Sequence, residues 1–110
     1  MTEIIYLASP YSHTDPNVTH RRFQAAAKAA AKLMREGYIV FSPIAHSHPV
    51  SHFLGNGLDH DFWLRQDLEF LKIAKKVVVL MLPGWQESRG VGAEVRIAGE
   101  LGIPVEYMEP

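Results

Sequence analysis

The sequence predicts an α/β protein: a doubly wound parallel sheet of about four or five strands, three layers deep, with helices on both faces. Three observations carry that expectation. Short apolar, β-branched runs recur along the chain at residues 4–8, 38–41, 77–81 and 103–107. Each is close to uninterrupted in its apolarity, the pattern of a strand covered on both sides rather than on one. Segments with helical spacing lie between them, and strands alternating with amphipathic helices call for right-handed crossovers and parallel pairing.

Taken in order, Ile4-Ile5-Tyr6-Leu7-Ala8 is a buried strand. Residues 9–16 form a loop held by Pro10 and Pro16. Helical spacing of Phe23, Ala26, Ala27, Ala30, Leu33 and Met34 predicts a helix over 17–35, stopped by Gly37. Its alanines call for close packing on a flat surface. Tyr38-Ile39-Val40-Phe41 is the second strand, and residues 43–57, with three histidines and two glycines, read as irregular. A second long helix is expected over 59–74, a strand over 77–81, a loop over 82–90 and a helix over 91–101. The last strand, 103–107, contains Pro104, which confines it to a sheet edge.

At 110 residues the chain is read as a single domain over 1–110. With 47% hydrophobic and 21% charged residues the class is soluble and globular. A net charge of −1 argues against a nucleic-acid polymer as partner. No apolar stretch is long enough to span a membrane, and the acidic, strand-like start is not a signal peptide. With no cysteine there is no disulfide, no thiolate metal site and no thiol nucleophile, which fits a reducing, cytoplasmic setting.

Ligands of such sheets bind beyond the carboxyl ends of the strands, near the point where strand order reverses. Segments 9–15, 42–57 and 83–92 are thereby selected, and the unusual polar residues of the sequence cluster in them. Two acids stand out. Asp67 shares a helix face with Trp63, Leu64, Phe70 and Leu71, and Glu94 with Val91, Ile97 and Ala98. Their polar neighbours, such as Arg65, Glu69, Arg89 and Arg96, fall on the far sides at about 100° per residue. An acid on a buried stripe costs several kcal/mol, roughly 2–7 even for a neutral polar group, unless something pairs with it or uses it. Ordinary caps or buried ion pairs would also account for either acid alone; together they read as a site. In Ser88-Arg89-Gly90-Val91-Gly92-Ala93-Glu94, two glycines at a strand-to-helix turn let backbone amides approach an anion, and Ser88 can cap the helix or donate to a ligand.

These segments give the chain its resemblance to a known superfamily. Ile5-Tyr6-Leu7-Ala8-Ser9-Pro10, Gln66-Asp67-Leu68-Glu69-Phe70-Leu71, the 77–80 strand and Ser88 to Glu94 with Ala98 resemble, in order and spacing, the nucleoside 2-deoxyribosyltransferase-like enzymes. That superfamily includes the 2′-deoxynucleoside 5′-monophosphate N-glycosidases. The "SPYS" start, the "SP-x-x-HSHP" segment and the "LPGW-x-x-S-x-G" loop place it nearest a branch related to those N-glycosidases. The resemblance implies a flavodoxin- or Rossmann-like fold and cleavage of an N-glycosidic bond. Glu94 would be the nucleophile, Asp67 would assist proton traffic, and Tyr6 would orient Glu94. It implies no cofactor and no metal. Ser9, Tyr11, Ser12, His46, His48, Ser88, Gly90 and Gly92 are the expected substrate contacts. Serine at position 88, where transferases tend to carry an aspartate for the sugar 5′-hydroxyl, tilts the substrate towards a 5′-monophosphate. The first loop lacks that branch's glycine- and arginine-rich character, and Arg21 or Arg22 would supply the charge.

Two other function classes stay open from the residues alone. One is a non-catalytic nucleotide-binding or sensing module using the same pocket. The other is a metal hydrolase built on His46, His48, His52 and His60-Asp61. Trp85 and Tyr11 either stack on a base or pack locally, whereas Phe62 and Trp63 are expected in core or interface. Phe53, Leu54, Phe62 and Trp63 near one end of so small a chain predict a homodimer or higher homo-oligomer.

Overall fold

A computed structural model describes residues 3–55 and 57–110. Four parallel strands, β1 (Ile4–Ala8), β2 (Ile39–Phe41), β3 (Lys76–Leu80) and β4 (Val105–Met108), lie in the order β2-β1-β3-β4. The helices are α1 (Pro16–Arg35), α2 (Pro43–Leu54), α3 (His60–Lys72) and α4 (Arg89–Glu100), with a 3-10 turn at Trp85–Glu87. The register runs Tyr6 beside Phe41 on one side and beside Val77 on the other, and Val79 beside Tyr107.

Alternation along the strands splits the core in two. Ile5, Leu7, Val78 and Leu80 face α1, where Ala29, Ala30 and Leu33 complete one cluster. Tyr6, Ala8, Val77 and Val79 face α3 and α4, where Leu71, Val91 and Ala98 complete the other. Alanines on α1 let its backbone approach the sheet closely, as their spacing requires. The fold is therefore the flavodoxin-like α/β arrangement expected, with β4 as an edge; Pro104, which has no N–H, precedes β4 and uses its carbonyl to accept from Val77 N at 2.9 Å.

One expectation is overturned. Residues 43–54 are helical, not irregular. Ser42 Oγ accepts from Ala45 N at 3.1 Å and Pro43 takes the first helical position, an ordinary start signal. The signal was hidden because α2 buries only Pro43 and so has no apolar stripe for periodicity to find, and Pro49 lies inside it. Gly55, at φ +80°, ends it. Smaller differences follow from capping. Helix α4 starts at Arg89 because Ser88 Oγ accepts from Val91 N at 3.2 Å, and α3 starts at His60 because Asp59 accepts from Phe62 N at 3.0 Å. No helix among the described residues is long and apolar enough to cross a membrane.

Candidate functional site

The chain leaves β1 for β2 on one side of the sheet and later places β3 on the other, so strand order reverses between β1 and β3. At the carboxyl ends of these strands lies a cleft of about 600 Å³. Its walls come from the loop after β1, from α2, from the start and middle of α3, and from the segment leading into α4.

Glu94 forms part of its lining. It sits in the second turn of α4, on the face that carries Val91 and Ala98 into the core, and is 7% exposed. Tyr6, fully buried in β1, donates its phenolic hydrogen to Glu94 Oε2. Burial pushes the Glu94 carboxyl up to about 8; the Tyr6 hydrogen bond opposes the rise, and the negative charge of Asp67 adds to it. Burial, then the charges of Glu94 and Asp67, hold the Tyr6 phenol far above its ordinary range, so it remains a neutral donor. Asp67 lines the same cleft and burial raises its carboxyl to about 6. Neither acid is paired with a cation; the described ion pairs are Lys72–Glu69, Lys76–Glu106 and Arg96–Glu100, all elsewhere.

Asp67 is half-buried rather than buried. The apolar neighbours that implied burial do not all enter the core: Trp63 and Leu64 line the cleft, and Phe70 is 41% exposed. Trp63, expected in core or interface, is thus a wall of the site. Its position four residues before Asp67 was the available signal, since the two share a face.

Of the expected substrate contacts, Ser9, Tyr11, Ser12, His48, Ser88 and Gly90 line the cleft. Ser9 is 5% exposed, and its Oγ is the one buried side-chain polar atom among the described residues without a hydrogen-bond partner. Tyr11 Oη lies 2.6 Å from His48 Nδ1, and His48 stacks on Phe23 with ring centroids 4.3 Å apart. Burial, with His52 and His20 nearby, lowers the His48 pKa.

Two expected contacts fall outside. His46 is exposed and packs near Phe41 and Phe70, with ring centroids 5.7 and 6.4 Å away. In a helix, positions two apart point to opposite sides, so α2 cannot bring both His46 and His48 to the cleft. Gly92 is also absent from the lining, and its N–H donates to Ser88 O at 3.0 Å. With Val91 N on Ser88 Oγ, the amides that α4 leaves without an internal partner are those of Arg89 and Gly90.

Sequence reasoning missed Ser47 and Ser51, which share a face of α2 and join the lining, because that helix was not foreseen. It also assigned Arg89 to a polar far side, whereas Arg89 borders the cleft at the start of α4. Trp85 packs locally, with its ring 5.5 Å from that of Tyr107, and is not part of the lining. Among the described residues, no three His, Cys, Asp or Glu side chains are placed to hold a metal ion.

Comparison with known proteins agrees with this architecture. A family model described as "Domain of unknown function (DUF1937)" matches residues 3–110. The solved structure of a 2-deoxyribosyltransferase from the psychrotolerant bacterium Bacillus psychrosaccharolyticus is similar, with a TM-score of 0.70 and 28% identity. The similarity covers 97% of this chain and 72% of that one. No curated protein matches the chain.

Proposed function

The chain belongs to the DUF1937 family, a nucleoside 2-deoxyribosyltransferase-like family, and from that premise we propose that it cleaves the N-glycosidic bond of a nucleoside or nucleoside 5′-monophosphate. One observation carries the reading: Glu94, buried and held through one oxygen by Tyr6, shares a cleft with Asp67, and neither acid has a cationic partner. A buried carboxylate kept for structure is usually paired; these two are in no described ion pair and line a cavity.

The chemistry follows from the two environments. Glu94 Oε1, the oxygen not bonded to Tyr6, attacks the anomeric carbon as the bond to the base nitrogen breaks. Positive charge building on the sugar in the transition state is stabilised by the same carboxylate. Asp67 in its protonated form hands a proton to the departing base, which makes a poor leaving group a good one. Asp67, now ionised, takes the proton from a water or from the ring N–H of a second base as that group attacks the anomeric carbon and releases Glu94. Ser9 Oγ, without a protein partner, is available to a sugar hydroxyl.

The 5′-monophosphate is the favoured substrate. Arg89 borders the cleft, and the free amides of Arg89 and Gly90 begin α4, where the helix dipole favours an anion. The Ser88 hydroxyl keeps its hydrogen for a phosphate oxygen while it caps the helix. Base recognition falls to Tyr11, His48 and Trp63, which line the same cleft. The reading includes assembly into a homodimer or larger oligomer, since Val50, Phe53 and Leu54 stand 41, 91 and 47% exposed near the end of α2.

The test is incubation with a panel of nucleosides and 5′-monophosphates, scoring free base by chromatography. The parent releases base, most rapidly from a 5′-monophosphate, while Glu94→Gln binds the same compound and releases none. Binding by both proteins with release by neither would make the chain a nucleotide-binding module instead.

A further inference from the structure

Arg22 makes contacts that its position on α1 does not require. Its Nη1 donates to the carbonyls of Tyr11 and Ser12, at 3.4 and 3.0 Å, and its Nη2 donates to the carbonyl of Pro83 at 3.0 Å. Tyr11 and Ser12 belong to the loop after β1, and Pro83 to the loop after β3. One guanidinium therefore joins the two loops that leave the neighbouring strands at the head of the cleft. It is in no described ion pair, and its described hydrogen bonds all run to backbone carbonyls. The receiving side is shaped to it. Gly84 has φ +92°, and a Cβ there would lie 2.7 Å from Arg22 Nη2, closer than a side chain can stand.

We infer that Arg22 is a positioning residue that straps the loop carrying Tyr11 and Ser12 to the segment carrying Gly84 and Ser88, and so fixes the opening of the cleft between its two substrate-binding walls. The inference rests on the proposed function for its kinetic consequence but not for its structural one. The planar fork matters: it serves two loops at once from one rigid plane, whereas an ammonium is a point charge that can follow only one of them. The reacting groups Glu94 and Asp67, and Tyr6 that holds Glu94, stand on α4, α3 and β1, elements packed together through the core and not through this strap. Loss of the strap should therefore weaken binding more than it slows the chemical step.

The experiment compares the parent with Arg22→Gln, Arg22→Lys and Gly84→Ala, using the full chain. Amide hydrogen exchange without ligand is measured first. In Arg22→Gln and Gly84→Ala, residues 11–15 and 82–88 should exchange about tenfold faster together, the scale of one lost charge-assisted hydrogen bond, with β1 and β3 unchanged. Arg22→Lys should restore protection in one segment at most. Base release from the four common 2′-deoxynucleoside 5′-monophosphates is measured next, and KM should rise by a larger factor than kcat falls. Unchanged exchange, or loosening of only one loop in Arg22→Gln, overturns the strap, as does a loss confined to kcat. If Arg22→Gln does not fold, residues 11–15 in Gly84→Ala decide the matter: the φ of +92° strains an alanine within its own loop in any case, so loosening of the loop after β1 is what reports a displaced guanidinium, and unchanged exchange there overturns the strap. A parent that releases no base removes the catalytic reading, and the exchange pattern still decides the strap.

Discussion

Glu94 holds the hardest position in the molecule, a carboxyl 7% exposed with one phenol to steady it. With Glu94 raised to about 8 and Asp67 to about 6, the pair carries one proton between those pH values. The working form, Glu94 ionised and Asp67 protonated, is a fixed fraction of that singly protonated pair whichever oxygen holds the proton at rest. kcat/KM should therefore be bell-shaped and centred between the two values. Asp67→Asn should slow the reaction and remove the alkaline limb, because only Glu94 then has to ionise. Its acid limb should move to higher pH, since it then reports Glu94 alone, which burial still raises, in place of the first ionisation of the pair near 6. Tyr6→Phe should move the alkaline limb upward, for Glu94 is the group of higher pKa and the hydrogen bond removed is what opposes its rise. That substitution should also cost about 1–3 kcal/mol of stability by leaving a buried acceptor unmet. Stability follows the same protons. The Glu94 pKa is higher folded than unfolded, so its contribution is complete below the unfolded value near 4.5 and is lost as pH rises to about 8. Thermal melts of the parent should fall across that window, and those of Glu94→Gln should fall less.

At the scale of elements, α2 separates what the sequence could say from what it could not. Strands β1 and β3 were legible because both faces of each are covered, which leaves uninterrupted apolar runs such as Val77-Val78-Val79-Leu80. Helices α1 and α4 were legible because each lays one stripe on the sheet. Helix α2 lays no stripe, so its only signals were the Ser42 cap and Pro43. Without that helix both His46 and His48 are expected at the substrate, whereas α2 turns them apart and only His48 lines the cleft. His48→Ala should raise KM, and His46→Ala should leave KM and kcat as they are; steady-state kinetics on the two variants checks the helical phase directly. The acids were legible for a different reason. A charge opposite the polar face of its helix conflicts with packing, and such conflicts collect at sites. Ser88→Ala should cost about 1 kcal/mol through the lost α4 cap, read from chemical denaturation. It should also raise KM for a 5′-monophosphate more than for the matching nucleoside.

Across the whole molecule, the reversal of strand order between β1 and β3 brings loops from distant parts of the sequence to one place. Tyr6 and Glu94 are 88 positions apart yet joined by a hydrogen bond. The reversal could be anticipated from the alternation of strands and helices; the separation of the loops could not, because Arg22 sets it through backbone carbonyls that no side-chain pattern records. The outer end of α2 bears on assembly. Phe53→Asp should leave the fold intact and shift the particle to a smaller size by light scattering, because that ring is 91% exposed in the single chain.

The central claim is that Glu94 bonds to the sugar during turnover. Rapid acid quenching of the enzyme with its best substrate, followed by intact-mass and peptide analysis, tests this most directly. The account predicts a protein heavier by one sugar unit, with the added mass on the peptide containing Glu94 and absent from Glu94→Gln. Steady base release with no adduct at any quench time, or an adduct on another residue, would contradict it.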